Sequence, residues 1–593
     1  VRMPILNSTL IIVACFLPLF FLSGMEGRML IPLGIAFIVA LFASTVVALT
    51  LTPVLCSYML TTKKALKKNE KEPFVSRTLK VWYKKALEWA LRHKKVVIGT
   101  SAALLIFTII IMTGLGRSFL PPFNEGSLTI NISTMPGISL EESDNMGRMA
   151  EKILLDIPEI QTVARKTGRA ELDEHALGVN VSEMEAPFEL DERSRDEFLA
   201  DVRQRLGELK GVNIEIGQPI SHRIDAMLSG TKANIAIKLF GNDLNKLYNI
   251  GGQIKEAIQG IDGIADLTLE QQIERPQLQI KPKRDMLAKY GIPLPEFSEF
   301  INVALSGKVV SQVYEGGKVF DLTIKVHDDD KANMEQIGNL MIDANGQKVP
   351  LHYVAEILPL VGPNTISREN VQRKIVVSAN VAGRDLNGVV KDIQKTVGEQ
   401  ITLPEGYHVE YGGQFESEQA ASRTLFLTSV ISILLIFLLL FNEFHSMPLS
   451  SIIMLNLPLA IIGGILSIWF TSGIISIPAI IGFISLFGIA TRNGILLVSH
   501  YNHLRSEGMS LHDSVVLGSL DRLNPILMTA LTSALALIPL AVGGDLPGNE
   551  IQSPMAQVIL GGLLSSTLLN GFVVPIMYLL LNHKQKEIEN LEM

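Results

Sequence analysis

Apolar runs constrain this chain more than any other feature. About 20 consecutive mostly apolar residues match the hydrocarbon thickness of a bilayer. Eight runs qualify, near 5–24, 30–52, 96–115, 424–441, 449–470, 477–500, 523–543 and 556–581. Buried core helices of a large soluble protein are the alternative, but residues 96–112 and 425–441 carry no charge at all. The expectation is an α-helical polytopic membrane protein with eight transmembrane helices.

Composition agrees. Of 593 residues 48% are hydrophobic and 19% charged, below the roughly 25% charged of soluble domains. Cys15 and Cys56 both lie in apolar runs, which excludes a disulfide framework, a CxxC pair and a thiolate zinc site. The chain opens on Val1 without a signal peptide, so a piece of a longer protein is expected.

Orientation follows from basic residues in the loops. Residues 63–95 hold twelve Lys and Arg against Glu70, Glu72 and Glu88, a net +9 that leaves −16 for the rest of a chain of net −7. That loop is assigned to the cytoplasm. Trp82, Ala86, Trp89 and Ala90 recur in it at helical spacing, which predicts an amphipathic helix along the inner membrane face. The third span then runs outward and the fourth returns, so residues 116–420 form one large extracytoplasmic insert. His500 to Arg505 and His583 to Lys586 fall inside, and the charge-poor loop Ser472 to Ser476 falls outside.

The insert repeats internally. A β-like run, an amphipathic helix and a second β run recur over 127–165, 233–269 and 374–410, with a further helix and strand at 191–209 and 212–217. Such halves pair into split-βαβ sandwiches, giving an α+β insert. Between the second and third repeats, Glu315-Gly316-Gly317-Lys318 joins two β runs into a hairpin within a separate subdomain of roughly 85 residues.

Arg492 stands in the middle of the run 477–500. A charge near the bilayer centre costs at least about 2.5 kcal/mol, so it pairs with an acid or lines a wet path. Glu26, Asp521 and Asp545 all fall at span ends, which points to a partner outside this chain. Thr491, Asn493 and Thr529 supply hydroxyls and an amide for a proton-handling cluster; interhelical hydrogen bonding is their structural alternative.

Seven motifs carry a family resemblance: Leu51-Thr52-Pro53-Val54-Leu55-Cys56, Phe119-Leu120-Pro121-Pro122-Phe123-Asn124-Glu125-Gly126, Thr134-Met135-Pro136-Gly137, Lys166-Thr167-Gly168-Arg169-Ala170-Glu171, Gly412-Gly413-Gln414-Phe415-Glu416, Arg522-Leu523-Asn524-Pro525-Ile526-Leu527-Met528-Thr529 and Gly548-Asn549-Glu550-Ile551-Gln552-Ser553-Pro554. They resemble the C-terminal half of a resistance-nodulation-division efflux pump, heavy-metal branch. The resemblance spans the fifth to twelfth family helices. It divides the chain into helices five and six (1–57), a basic cytoplasmic loop (58–95), helix seven (96–115), a first periplasmic pore subdomain (116–226), a second (227–275 with 366–420), a docking subdomain with the hairpin (276–365), and helices eight to twelve with a short tail (421–593).

The resemblance implies a homotrimeric inner-membrane permease, a secondary transporter driven by proton antiport rather than an enzyme. Its implied partners are a periplasmic adaptor (membrane fusion protein), an outer-membrane channel and the missing N-terminal half of the same permease. No cofactor and no nucleic acid are implied, and no GxxxxGK[ST] motif appears for direct ATP drive. The family's proton relay sets acids on its fourth helix against a basic residue on the tenth and a Thr on the eleventh, positions that match Arg492 and Thr529 here. Arg keeps its charge, so Arg492 reads as a fixed countercharge.

For substrate, copper and silver pumps of this branch use three methionines, and the matching positions hold Asn131, Glu183 and Ala226, with Met184 and Met227 one residue away. Thioethers select Cu(I) and Ag(I), whereas the nearby Glu171, Asp173, Glu174, His175, Glu183, Glu185 and His222 suit Zn²⁺, Co²⁺, Ni²⁺ or Cd²⁺. A solvated acidic loop is the bland alternative for these residues. Other readings are a multidrug or organic-solute exporter and, from the related secretion subunits, a protein-translocation accessory.

Overall fold

The computed structural model describes residues 2–60, 73–121, 123–168, 178–190, 193–229, 233–271, 274–363, 366–544 and 546–592. Along the chain, α1 (Arg2–Phe16) leads through a 3₁₀ turn, Leu17–Phe21, into α2 (Gly24–Leu49), which a further helix, Leu51–Leu60, continues. The amphipathic α3 (Phe74–Arg92) precedes α4 (Lys94–Gly114). Seven helical stretches among the described residues are long and apolar enough to cross a membrane; α1 contributes a shorter apolar stretch, Asn7–Phe21. The expected count of eight therefore stands at seven with a shorter neighbour.

Helix α3 turns a different face inward from the one its tryptophans mark. Leu87, Ala90 and Leu91 are buried, whereas Trp82 and Trp89 are 75% and 54% exposed. Tyr83 Oη donates to Gly571 O at 2.6 Å and Asn524 Nδ2 donates to Ser76 Oγ at 2.7 Å. The two tryptophans are left as amphipathic rings of the kind that settle at a membrane–water boundary.

The insert contains two antiparallel sheets. In the first, β1 (Ser127–Ser133), α5 (Leu140–Leu155), β2 (Ala164–Thr167), β3 (Val181–Pro187), α6 (Arg195–Leu206) and β4 (Asn213–Gly217) give the strand order β2-β3-β1-β4. Helix α6 starts in a capping box, Ser194 with Glu197, which satisfies two otherwise orphaned donors. After α7 (Pro219–Ser229) the pattern recurs with β5 (Ile235–Phe240), α8 (Leu244–Ile258), β6 (Ile264–Leu269), β7 (Gln372–Val381), α9 (Leu386–Gln400) and β8 (His408–Gly413), ordered β6-β7-β5-β8. Both orders are those of a split βαβ unit.

An antiparallel two-strand ribbon, Glu274–Pro282 with Ala355–Pro363, leads out of the second sheet between β6 and β7. At its far end a small core gathers Leu287, Phe297, Leu351 and Val354, and a hairpin pairs Lys308–Glu315 with Lys318–Ile324. Its two-residue turn is Gly316-Gly317 with φ of +56° and +79°, the left-handed pair that lets a tight turn follow the twist of its strands.

The chain returns through α10 (Gln414–Phe444), α11 (Met447–Met454), α12 (Asn456–Phe470), α13 (Ile477–Ser506), α14 (Leu511–Val542) and α15 (Gln552–Glu592). Gly116 and Arg117 pair in parallel with Ile474 and Ile475, which puts the α12–α13 loop on the same side of the bundle as the insert. At the opposite end Arg505 Nη1 donates to Asn582 Oδ1 at 2.8 Å. Helix α14 keeps none of its most apolar window buried, so a long apolar face remains for lipid or another segment.

Candidate functional site

Helix α13 carries the intramembrane charge. Its Gly482, Gly488 and Gly494 allow close approach: a Cβ on Gly488 would meet Ile12 at 3.1 Å, and one on Gly494 would meet the Asn456 amide. The close packing buries Thr491 and Asn493 while Arg492, between them, is exposed on the lateral surface of the bundle. Consecutive helical residues are about 100° apart, so burial of its neighbours is what turns Arg492 outward. No hydrogen bond or ion pair reaches Arg492 among the described residues.

The other residues expected to join Arg492 are not gathered around it. Thr491 Oγ1 donates to Phe487 O of its own helix at 2.7 Å, and Thr529 Oγ1 donates to Pro525 O at 2.9 Å. Asn493 points into the bundle interior, where its Nδ2 has no partner among the described residues. The cluster expected from sequence is therefore dispersed within this chain.

The substrate candidates sort by strand alternation. Successive side chains of a strand point to opposite faces. On β1, Leu128, Ile130 and Ile132 face the helices and are buried with Met184 of β3, which is 0% exposed. Met184 is thus a core residue, and its sulfur is not presented to any cleft. Asn131 lies on the other face, opposite Glu183 on β3 and Glu215 on β4.

That face is acidic, and its carboxylates are engaged. Glu183 pairs with Lys166 Nζ at 2.8 Å. Glu185 accepts from Thr129 Oγ1 at 3.1 Å, and Glu215 accepts from Thr268 Oγ1 of β6 at 3.0 Å. Arg203 of α6 reaches Asp266 of the second sheet at 3.1 Å, a polar contact that joins the two subdomains. Among the described residues no group of three His, Cys, Asp or Glu is arranged to hold a metal. Glu171, Asp173, Glu174 and His175 lie outside the described residues, as do the side chains of Ala226 and Met227.

His222 and Asp225 line a cleft between the subdomains together with Gln218, Asn234, Asn380 and Gln414. The His222 ring lies over Gly217, where a Cβ would be 2.1 Å away, and its Nδ1 is 3.4 Å from Asn131 Nδ2. Asp225 is 2% exposed; Gln414 Nε2 donates to it at 2.7 Å and Asn234 Nδ2 at 3.2 Å. Burial pushes its carboxyl up to about 6, against the opposing pull of those two hydrogen bonds.

Sequence patterning alone did not single out Asp225. Its one signal was an acid in an otherwise amphipathic helix beside His222. The motifs converge on this region. Glu125 accepts the Ile220 and Ser221 N–H groups at 2.7 and 3.2 Å, at the start of α7, a favourable place for a carboxylate. Glu550 accepts from Asn124 N at 3.0 Å.

Residues 1–582 match the AcrB/AcrD/AcrF family. The cobalt-zinc-cadmium resistance protein CzcA of Cupriavidus metallidurans is 33% identical over 99% of this chain and 56% of its own length. Protein HelA of Legionella pneumophila is 32% identical over 98% and 56%, and the cation efflux system protein CusA of Escherichia coli K12 is 27% identical over 97% and 56%. The chain thus spans about half the length of the curated relatives it matches. A crystal structure of a heavy metal efflux pump superposes with a TM-score of 0.82 at 27% identity, covering 98% of this chain and 59% of that one. The chain belongs to the AcrB/AcrD/AcrF family, the resistance-nodulation-division permeases.

Proposed function

We propose that this chain forms part of an inner-membrane permease that exports heavy-metal cations from the periplasm, driven by inward proton movement. Arg492 carries the proposal: it is a permanent charge at mid-span on a lateral surface, with no partner among the described residues. A carboxylate brought against it from another segment would be stabilised when ionised and released when protonated, which is the electrostatic core of a proton-coupled switch. The reading includes a homotrimer working with a periplasmic adaptor and an outer-membrane channel, as the family resemblance implies.

For cargo, the cleft residues favour a divalent cation. His222 and Asp225 in the cleft, with Asn131 beside His222 and Glu183 opposite Asn131 on the sheet, offer oxygen and nitrogen donors, which suit Zn²⁺, Co²⁺, Ni²⁺ or Cd²⁺ rather than Cu(I) or Ag(I). Metal tolerance of cells lacking the complete pump, then complemented with wild type or Arg492→Ala, tests both parts. Restored Zn²⁺, Co²⁺, Ni²⁺ or Cd²⁺ tolerance by wild type only, with trimers present in both strains, is the expected result. Unchanged export by Arg492→Ala would sink the proton-coupling assignment.

A further inference from the structure

The amphipathic helix α3 ends against the membrane bundle at a cavity of about 450 Å³. Leu91 of α3, Leu511 of α14 and Leu579 of α15 make its apolar part, and Glu88, Arg92, Lys94 and His512 its polar part. Leu579 stands one turn before Asn582, which accepts from Arg505 at the end of the bundle remote from the insert. Lys94 is the first residue of α4 and Leu511 the first of α14, two helices long and apolar enough to span a bilayer. The cavity therefore lies at the cytoplasmic membrane–water boundary, part of its wall suited to hydrocarbon and part to a charged group.

The two cations of that wall are not used by the fold. In the insert, Arg165, Arg193, Arg203 and Arg384 each pair with a carboxylate. Arg92 and Lys94 make no hydrogen bond or ion pair with the described residues, and Glu88, one turn before Arg92, does not pair with it. His512 is turned to its neighbour Asp513, with Nδ1 3.8 Å from Oδ1. Helix α4 begins with no side-chain cap at His93, so the positive end of its dipole adds to Lys94 at the same wall. Trp89 stacks on His93 with ring centroids 4.9 Å apart, an exposed aromatic pair at the elbow between α3 and α4 of the kind that settles at headgroup level.

A diffuse basic surface attracts any anionic membrane, by about fivefold in affinity per Lys or Arg. This cavity adds a fixed set of donors. A guanidinium fork reads two phosphate oxygens at once, and an ammonium supplies a compact second charge. Glu88 disfavours a bare phosphate but accepts hydrogen bonds from hydroxyls, so a headgroup with both a phosphate and free hydroxyls satisfies all three side chains. We propose that the cavity binds one anionic, polyol-headed phospholipid of the inner leaflet. Its phosphate sits between Arg92 and Lys94, a headgroup hydroxyl donates to Glu88, and its acyl chains leave over Leu91, Leu511 and Leu579. Phosphatidylglycerol has this chemistry. The bound lipid adds a bridge from the elbow to the bundle beside the Tyr83–Gly571 and Ser76–Asn524 hydrogen bonds.

The proposal is independent of proton coupling at Arg492. Delipidated intact pump in detergent is titrated with phosphatidylglycerol, and bound lipid is counted by native mass spectrometry; phosphatidylcholine of the same chain length and inorganic phosphate are the comparison ligands. The expected result is one tightly held phosphatidylglycerol per subunit, with affinity lowered about tenfold or more in Arg92→Gln/Lys94→Gln and little changed in Lys84→Gln/Lys85→Gln, a pair exposed on α3 outside the cavity wall. Equal loss in the two double variants would show a diffuse surface charge and overturn the site. Equal binding of phosphatidylcholine, or inorganic phosphate binding as tightly as the lipid, overturns the assignment to an anionic lipid. Arg92→Gln alone changes an exposed side chain and is expected to cost about fivefold; wild-type affinity in it overturns the proposal even where the double variant does not fold.

Discussion

Gln414 Nε2 donates a 2.7 Å hydrogen bond to Asp225 Oδ1, joining the cleft helix α7 to the first residue of membrane helix α10. A buried carboxylate thereby ties the cleft helix to a helix that enters the bilayer. Replacing it with Ala strands the Gln414 and Asn234 amides, each an unsatisfied buried donor worth about 1–3 kcal/mol. Asp225→Ala is therefore expected to lower the thermal stability of the purified protein and to reduce export, with Asp225→Asn losing much less because one acceptor oxygen remains. Equal stability of Asp225→Ala and wild type would show that the bond does not hold the joint.

Met184 tests the cargo assignment. As a core side chain it should tolerate Leu at a cost below about 1.5 kcal/mol, whereas Ala should cost about 2–5 kcal/mol. Neither change should alter which metals are exported. A selective loss of Cu(I) or Ag(I) tolerance in Met184→Leu, with Zn²⁺ tolerance intact, would return the sulfur to the substrate path.

Helices α12 and α15 touch backbone to backbone. A Cβ on Gly463 would lie 2.0 Å from Gly561 O, and one on Gly561 would lie 2.4 Å from Gly463 O. Such small-residue contacts let membrane helices pack closely. Gly463→Ala should push the helices apart at a cost of about 1–3 kcal/mol, and Gly463→Leu should leave little folded protein. The check is size-exclusion yield and thermal stability in detergent.

Glu270 makes part of the insert sensitive to pH. Burial raises its carboxyl above the ordinary value, opposed by hydrogen bonds from Ser367 and from Val376 N at 3.2 Å and by Lys374. A folded-state value above the unfolded one, near about 4.3, means stability that is fully present below that unfolded value and lost as pH rises through the raised one. Glu270→Gln should flatten this part of the profile. Denaturant unfolding of the full protein between mildly acidic and neutral pH, wild type against variant, reads it out; parallel profiles would contradict the assignment.

Much of the architecture is visible in the linear sequence because it rests on local patterning. The charge-free runs mark membrane helices through length and hydropathy alone. The strand–helix–strand spacing of the insert is likewise local, as is the Gly316-Gly317 turn. What the pattern does not contain is which partner each element meets. β6 and β7 pair across the whole ribbon subdomain that separates them, and the order within a sheet is a long-range outcome of burying its helices.

The same division runs through the functional residues. A charge within an apolar run singles out Arg492 from the linear pattern alone, because its cost in a bilayer depends only on depth. Whether it meets a partner inside this chain depended on how α13 rotates against α1, α12 and α15, and close contacts at Gly488 and Gly494 turned Arg492 out and Asn493 in. On β3 a single step along the strand separates Glu183, on the polar face, from Met184, in the core. Sequence supplies that alternation, but only the packing of α5 and α6 on one side of the sheet decides which of the two faces is buried.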